Sequence, residues 1–162
     1  MSIINNEAKR REIVELLTQA YWMEIETVMS YIANSTNPEG VRAKEIKESL
    51  EEDVKEELGH AQQFARRLKE LYGQVPGSME FHPEQRFLQP PGDAVDIVHV
   101  IRGVIEAEQG AVDHYTHICQ VCDGVDFVTQ DMVIQILRDE QGHMRQFEEF
   151  LREYETSYAG VQ

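Results

Sequence analysis

Apolar residues recur along this chain with a period of three to four in four long blocks, and no block alternates apolar and polar positions as a half-buried strand would. The blocks are parted by turn-forming stretches: STNPEG at 35–40, GQVPGSMEFHPEQRFLQPPGD at 73–93 and CDGVDF at 122–127. The pattern predicts helices over about 5–34, 39–72, 93–122 and 128–157, with Asp93 and Thr129 as N-caps of the third and fourth. A helix of roughly 30 residues is about 45 Å long at 1.5 Å per residue, the length of a bundle helix. The first and third connections are short, so helices one and two form an antiparallel hairpin, as do helices three and four. The middle connection, about 20 residues, reaches roughly 65 Å when extended, enough to travel the bundle and start helix three parallel to helix two. The expected architecture is all-α: one domain over residues 1–162, a four-helix bundle with one long crossover between helices 2 and 3.

Helical phase then separates the inward residues from the rest. The seam of helix one reads Ile13, Leu17, Ala20, Glu24, Thr27 or Val28, Tyr31; helix two gives Ile46, Leu50, Val54, Glu57, Ala61, Phe64, Leu68, Leu71. Helix three gives Ile97, Ile101, Val104, Glu108, Ala111, Tyr115, Ile118, and helix four Val133, Leu137, Glu140, Met144, Phe147, Leu151, Tyr154. In each helix one glutamate interrupts an otherwise apolar or aromatic stripe. His60 and His143 follow Glu57 and Glu140 at i+3, on the same face and one turn along. The two hairpins repeat each other: EELGHAQQF at 56–64 matches DEQGHMRQF at 139–147, and Glu24 with Tyr31 corresponds to Glu108 with Tyr115.

Four glutamates in a core cannot stand alone, because each unpaired buried carboxylate costs several kcal/mol against a net stability of only about 5–15 kcal/mol. No Lys or Arg occupies these seam positions. Two divalent cations would balance the four carboxylates, with both imidazoles bound neutral. One Glu from each of two helices plus Glu-x-x-His from each of the other two is a known way for a bundle to hold a metal pair. The candidate ligands, and hence candidate catalytic residues, are Glu24, Glu57, His60, Glu108, Glu140 and His143.

Nearby residues of the same type are set aside by phase. Glu26 and Glu106 lie two residues from Glu24 and Glu108, about 200° round their helices. His99 of Asp96-x-x-His99 faces about 180° from Glu108, and His114 and His117 also point off the seam, as solvated side chains, metal binding at an intersubunit surface being the alternative. Glu45, Glu48, Glu52 and Asp53 read as a solvated helix face, or as a surface that conducts or nucleates a cation. Cys119 shares a face with Glu108 but lies roughly 16 Å along the helix, too far to bind the same metals. With Cys122 it reads as a structural thiol pair, a redox role being the alternative. Tyr31 and Tyr115 lie about 10 Å from their glutamates along the axis, as core residues or as electron donors to the metals.

Composition narrows the function. With 15 basic and 30 acidic residues the net charge is −15, which disfavours direct DNA binding or a grip on anionic lipid and favours cations as partners. The one basic cluster, Lys9, Arg10 and Arg11, is short and flanked by Glu7 and Glu12. No stretch approaches the unbroken apolar length of a membrane helix, the amino terminus lacks the apolar core of a signal peptide, and two cysteines make no disulfide framework. A cytoplasmic protein with no membrane association is expected.

At these residues the chain resembles the ferritin-like superfamily and within it the bacterioferritins, most closely in VTQDMVIQILRDEQGH at 128–143. The resemblance implies that Glu24, Glu57, His60, Glu108, Glu140 and His143 ligate two iron ions per subunit, with manganese or zinc as substitutes, and that Glu57 and Glu140 bridge. It implies a ferroxidase: oxidation of Fe(II) by O₂ or H₂O₂, and storage or detoxification of the Fe(III) as a mineral inside a hollow homo-oligomeric shell. The position of the methionine that binds haem in bacterioferritins holds Leu58, so haem of that kind is not expected. The residues after His143 are consumed by helix four and leave none for the short fifth helix of 24-subunit shells, which favours the 12-subunit shell of Dps-like members. The rival reading on the same ligands is a di-metal oxidase, oxygenase or manganese catalase without mineral storage.

Overall fold

The structure is a computed structural model describing residues 3–159, with side chains up to residue 156. Four helices carry the fold: α1 (Glu7–Thr36), α2 (Lys44–Glu70), α3 (Ile97–Cys122) and α4 (Phe127–Ala159). Two 3₁₀ turns, Ser78–Glu80 and Arg86–Leu88, punctuate the crossover, and no strand occurs among the described residues.

Contacts at the two ends fix the topology. At one end the Glu39 amide, just past α1, donates to Ala94 O just before α3 at 2.9 Å, and Arg42 before α2 donates to Tyr154 O near the end of α4 at 3.0 Å. At the other, Arg10 in the first turn of α1 donates to Leu71 O past α2 at 2.8 Å, and Arg67 late in α2 meets Asp126 before α4 at 2.9 Å. Helices α2 and α3 therefore run parallel and the chain crosses the length of the bundle between them, as expected.

The starts of α2 and α3 and the caps of α3 and α4 differ from the pattern-based reading. α2 begins at Lys44 rather than 39, because Gly40 turns the chain with φ +95° and residues 41–43 complete the bend. α3 begins at Ile97 rather than 93. Asp96 caps it, accepting from the His99 amide at 3.1 Å, whereas Asp93 accepts from Val95 N in the preceding turn. At α4 it is Asp126, not Thr129, that fills the capping role, accepting from the Thr129 amide at 3.0 Å.

The core divides into two apolar plugs. One holds Ile13, Leu17, Phe64, Leu68, Tyr115, Ile118 and Val133; the other holds Tyr31, Ile46, Leu50, Ile101, Val104 and Phe147. Thr27 rather than Val28 takes the buried position in α1, while Val54, Leu137, Met144 and Leu151 are only half-buried at the seam's margin. Arg67 is a buried cation the seam did not foretell. It sits beyond the first plug, bonded to Asp126, Thr129 and Glu70, where three acceptors satisfy its fixed fork of donors.

The crossover is seated on the bundle by close packing. Leu88 is fully buried, its carbonyl accepts from Asn34 Nδ2 at 2.8 Å, and Gly103 of α3 lies beneath the neighbouring Phe87 carbonyl. A Cβ at position 103 would stand 2.5 Å from Phe87 O, so Gly103→Ala must lift the crossover off α3. A loss of about 1–3 kcal/mol in denaturant unfolding is expected, and wild-type stability would contradict this seating.

Candidate metal centre

Between the two plugs lie all six side chains that phase and repeat single out. Glu24, Glu57, His60, Glu108, Glu140 and His143 are all buried, the carboxylates to within 2 % exposure. Their donor atoms form two overlapping sets, Glu24, Glu57, His60 and Glu140 in one and Glu57, Glu108, Glu140 and His143 in the other. Within each set the atoms lie within 4.8 Å of one another. Glu57 and Glu140 belong to both. Each imidazole turns Nδ1 inward: His60 Nδ1 is 2.9 Å from Glu140 Oε1, and His143 Nδ1 is 3.2 Å from Glu57 Oε1.

Polar atoms here lack the hydrogen-bond partners that buried groups normally have. Glu57 Oε1, Glu108 Oε2, Glu140 Oε1 and His143 Nδ1 are sealed from solvent without a correctly oriented partner, and even the close His60–Glu140 and His143–Glu57 approaches are misaligned. Lone pairs aimed at shared space, rather than at donors, fit a pair of cations. Glutamate and imidazole suit iron, manganese or zinc.

The surrounding shell is as symmetric as the cluster. The Tyr31 hydroxyl donates to Glu108 Oε1 at 2.5 Å and the Tyr115 hydroxyl to Glu24 Oε1, so each tyrosine holds one oxygen of the lone glutamate in the opposite hairpin. On the α2–α4 side, His60 Nε2 meets Asp139 Oδ2 at 3.0 Å and His143 Nε2 meets Glu56 Oε2 at 2.7 Å. A carboxylate on Nε2 fixes the tautomer that leaves Nδ1 free as a ligand.

Asp139 and Glu56 immediately precede Glu140 and Glu57. The leading acid was present in both copies of the repeat, but its i−1 position pointed it away from the seam of its own helix. It serves the histidine of the other hairpin instead. Asp53, read as part of a solvated face, is in fact buried and lies 3.5 Å from His143 Nε2, its Oδ2 without a partner. Burial, against the pull of His143, raises its pKa to about 7.

Residues set aside by phase divide further. Glu106, His99 and His117 are exposed as expected. His114 is not solvated: it is partly buried, its Nε2 2.9 Å from Leu16 O, and burial lowers its pKa. Glu26 is buried too, yet it faces the crossover rather than the cluster: its Oε1 accepts from the Glu84 and Gln85 amides at 2.8 and 2.7 Å. Cys119 is partly exposed and Cys122 buried within the first plug, where burial drives the Cys122 thiol up to about 12, a packing thiol rather than a nucleophile.

Electrostatics explain how the cluster folds without metal. Burial and then repulsion by Glu57 raise Glu24 well above the ordinary carboxylate range; burial and the closeness of Glu140 do the same to Glu108. Burial works against ionisation of Glu57 and Glu140 as well, but the closeness of Glu24, Glu108 and both imidazoles holds these two below it. Burial opposes charge on the imidazoles, yet the carboxylates raise His143 far above its usual value and His60 to about 10. These directions favour protons on Glu24, Glu108 and the two imidazoles and negative charge on Glu57 and Glu140, so that the charges of the six groups tend to cancel.

Two divalent cations would supply four positive charges, so keeping the site neutral requires four protons to leave. Titration of metal-free protein with Co(II) or Zn(II) in weak buffer near pH 7 is expected to release about four protons per chain. Release near zero would show the ligands already ionised. Stability carries the matching sign: groups raised above their unfolded values, His60, His143, Glu24 and Glu108, stabilise at low pH and lose that contribution as pH rises through the folded values. For His60 the window is from about 6.5 in the unfolded chain to about 10. Metal-free protein should therefore weaken to chemical denaturant across that window, and bound divalent metal should abolish the loss.

Comparison with known proteins follows the same lines. The family described as a ferritin-like domain matches residues 14–157. Over 145 residues the chain is 31% identical to the DNA protection during starvation protein of Pyrococcus furiosus, covering 86% of this chain and 77% of that protein. Over another 145 it is 24% identical to the bacterioferritin of Desulfovibrio desulfuricans, covering 89% and 76%. Among solved structures, the bacterioferritin-related dodecameric thioferritin of Bacteroides fragilis shares the fold with a TM-score of 0.81 at 24% identity, over 94% of this chain and 91% of that one. Four helices, a long crossover and a match over nearly the whole sequence lead to one conclusion: this chain belongs to the ferritin-like family.

Proposed function

We propose that the protein is a ferroxidase of iron storage and detoxification. Fe(II) is its substrate, O₂ or H₂O₂ its oxidant, and Glu24, Glu57, His60, Glu108, Glu140 and His143 its ligands. The observation that carries this reading is the pair of four-donor sets sharing Glu57 and Glu140. Two ferrous ions bound there side by side can each give one electron to a single oxidant. Hard anionic oxygens favour the ferric state and make that loss easier.

The chain's own groups prepare the reaction. Asp139 and Glu56 orient the histidines; Tyr115 and Tyr31 hold one oxygen each of Glu24 and Glu108 and leave the other free. The small cavity facing the carboxylates is walled by Tyr31, Tyr115, Ala107, Ala111, Met23 and Gln85, and offers an organic substrate no berth. This favours inorganic reactants over the chemistry of an oxygenase. Leu58 carries no sulfur with which to bind haem.

Storage requires a closed shell of identical chains, and twelve copies are favoured, as in the dodecameric relative of Bacteroides fragilis. No described helix is long and apolar enough to cross a membrane, and the net charge of −15 argues against DNA as a direct partner.

Glu57→Ala or His143→Ala is expected to leave a folded bundle and remove the fast phase of Fe(II) oxidation, followed as ferric absorbance after mixing with O₂ or H₂O₂; normal kinetics in either would strike that residue from the site. Asp139→Asn and Glu56→Gln should weaken metal binding about 10–100-fold, read by competition with a chelator. Iron loading with size determination tests storage: a shell of about twelve chains holding many irons each supports it. A small oligomer that stops at a metal pair per chain selects a non-mineralising oxidase or catalase.

A further inference from the structure

The cluster has a second side. Towards α1 and α3 its cavity ends on Met23, Thr27 and Gln85. Behind Met23 opens a cleft of about 430 Å³ lined by Trp22, Glu26, Glu80, His82, Glu84 and His114. Met23 is the residue whose flexible thioether chain lines both spaces, so it forms part of the wall between the cleft and the buried carboxylates. Unpartnered Glu57 Oε1 and Glu108 Oε2 belong to residues lining the inner side of this wall.

The rest of the wall is the crossover, and its attachment is unusual. Glu26 Oε1 takes both the Glu84 and Gln85 amides, and the Gln85 side chain bonds Thr27 at 3.0 Å. Apolar packing holds the following turn at Leu88, but over the cluster the strap is held by polar bonds, which water can replace when they open. Trp22, which lines the cleft, packs at a tilt against Phe81 of the crossover, ring centroids 5.0 Å apart.

We infer that this wall is a gated passage for divalent cations, with the Gln85–Thr27 bond as its latch, Met23 as the moving part and Glu26 as the fixed anchor of the strap. Glu80 and Glu84, exposed at the cleft, draw a hydrated cation in, and rotation of Met23 with release of Gln85 admits it to the carboxylates. The inference rests on the metal-binding reading of the cluster and adds the route by which that site fills.

Metal-free full-length protein is mixed anaerobically with Co(II) in a stopped-flow spectrometer, and the visible absorbance of bound Co(II) gives uptake rate and final stoichiometry. Met23→Phe should slow uptake about tenfold and Gln85→Ala should speed it severalfold, since loss of one hydrogen bond shifts a local opening by about that factor; both should reach the wild-type endpoint. Wild-type rates in both variants would overturn the passage while leaving the site intact. Failure of the wild type to bind Co(II) at all would overturn the metal reading itself, and the passage with it.

Discussion

Six ionisable side chains sealed in the middle of a helical bundle must sum to nearly no charge, because the interior cannot stabilise an excess of either sign. This protein meets that requirement in two ways. Without metal, burial pushes protons onto Glu24 and Glu108 and the neighbouring carboxylates hold them on His60 and His143, which lowers the net charge. With a pair of divalent ions those protons become superfluous. The same geometry suits a protonated polar core and a coordination site alike, so protons and metal would compete for the same atoms.

Such a cluster contributes little to holding the helices together, so the apolar residues must be divided around it. One plug, centred on Phe64, Tyr115 and Ile118, and another, centred on Tyr31, Ile101 and Phe147, hold the four helices on either side. The boundary between plug and cluster is marked by Tyr115 and Tyr31, each with its ring in the hydrophobic layer and its hydroxyl on a carboxylate. Aromatic pairing of Phe64 with Tyr115 at 5.3 Å anchors one of these interfacial rings.

Helical period and the repeat made the bundle, its crossover and the six central residues legible in the sequence. Phase was informative because each glutamate broke an otherwise apolar stripe. What escaped was everything that acts between elements. Asp139 and Glu56 point off the seams of their own helices and reach a histidine across the bundle; Asp53, adjacent to half-buried Val54, is covered by packing that no single-helix pattern encodes. Glu26 was set aside as the wrong phase for the cluster, correctly, but its buried partner is the backbone of a crossover whose path the sequence left open. The helix starts moved for a local reason: at Asp93 and Asp96 two candidate caps compete three residues apart, and the winner depends on where the crossover ends.

The swapping of contacts between the two hairpins has a consequence for symmetry. Each hairpin lends its tyrosine to the other's lone glutamate and the acid of its repeat to the other's histidine, so neither half is complete by itself and each completes its counterpart in the same manner. That reciprocity relates the two hairpins by an approximate twofold axis through the cluster, so a change at either half is felt by the donors of the other.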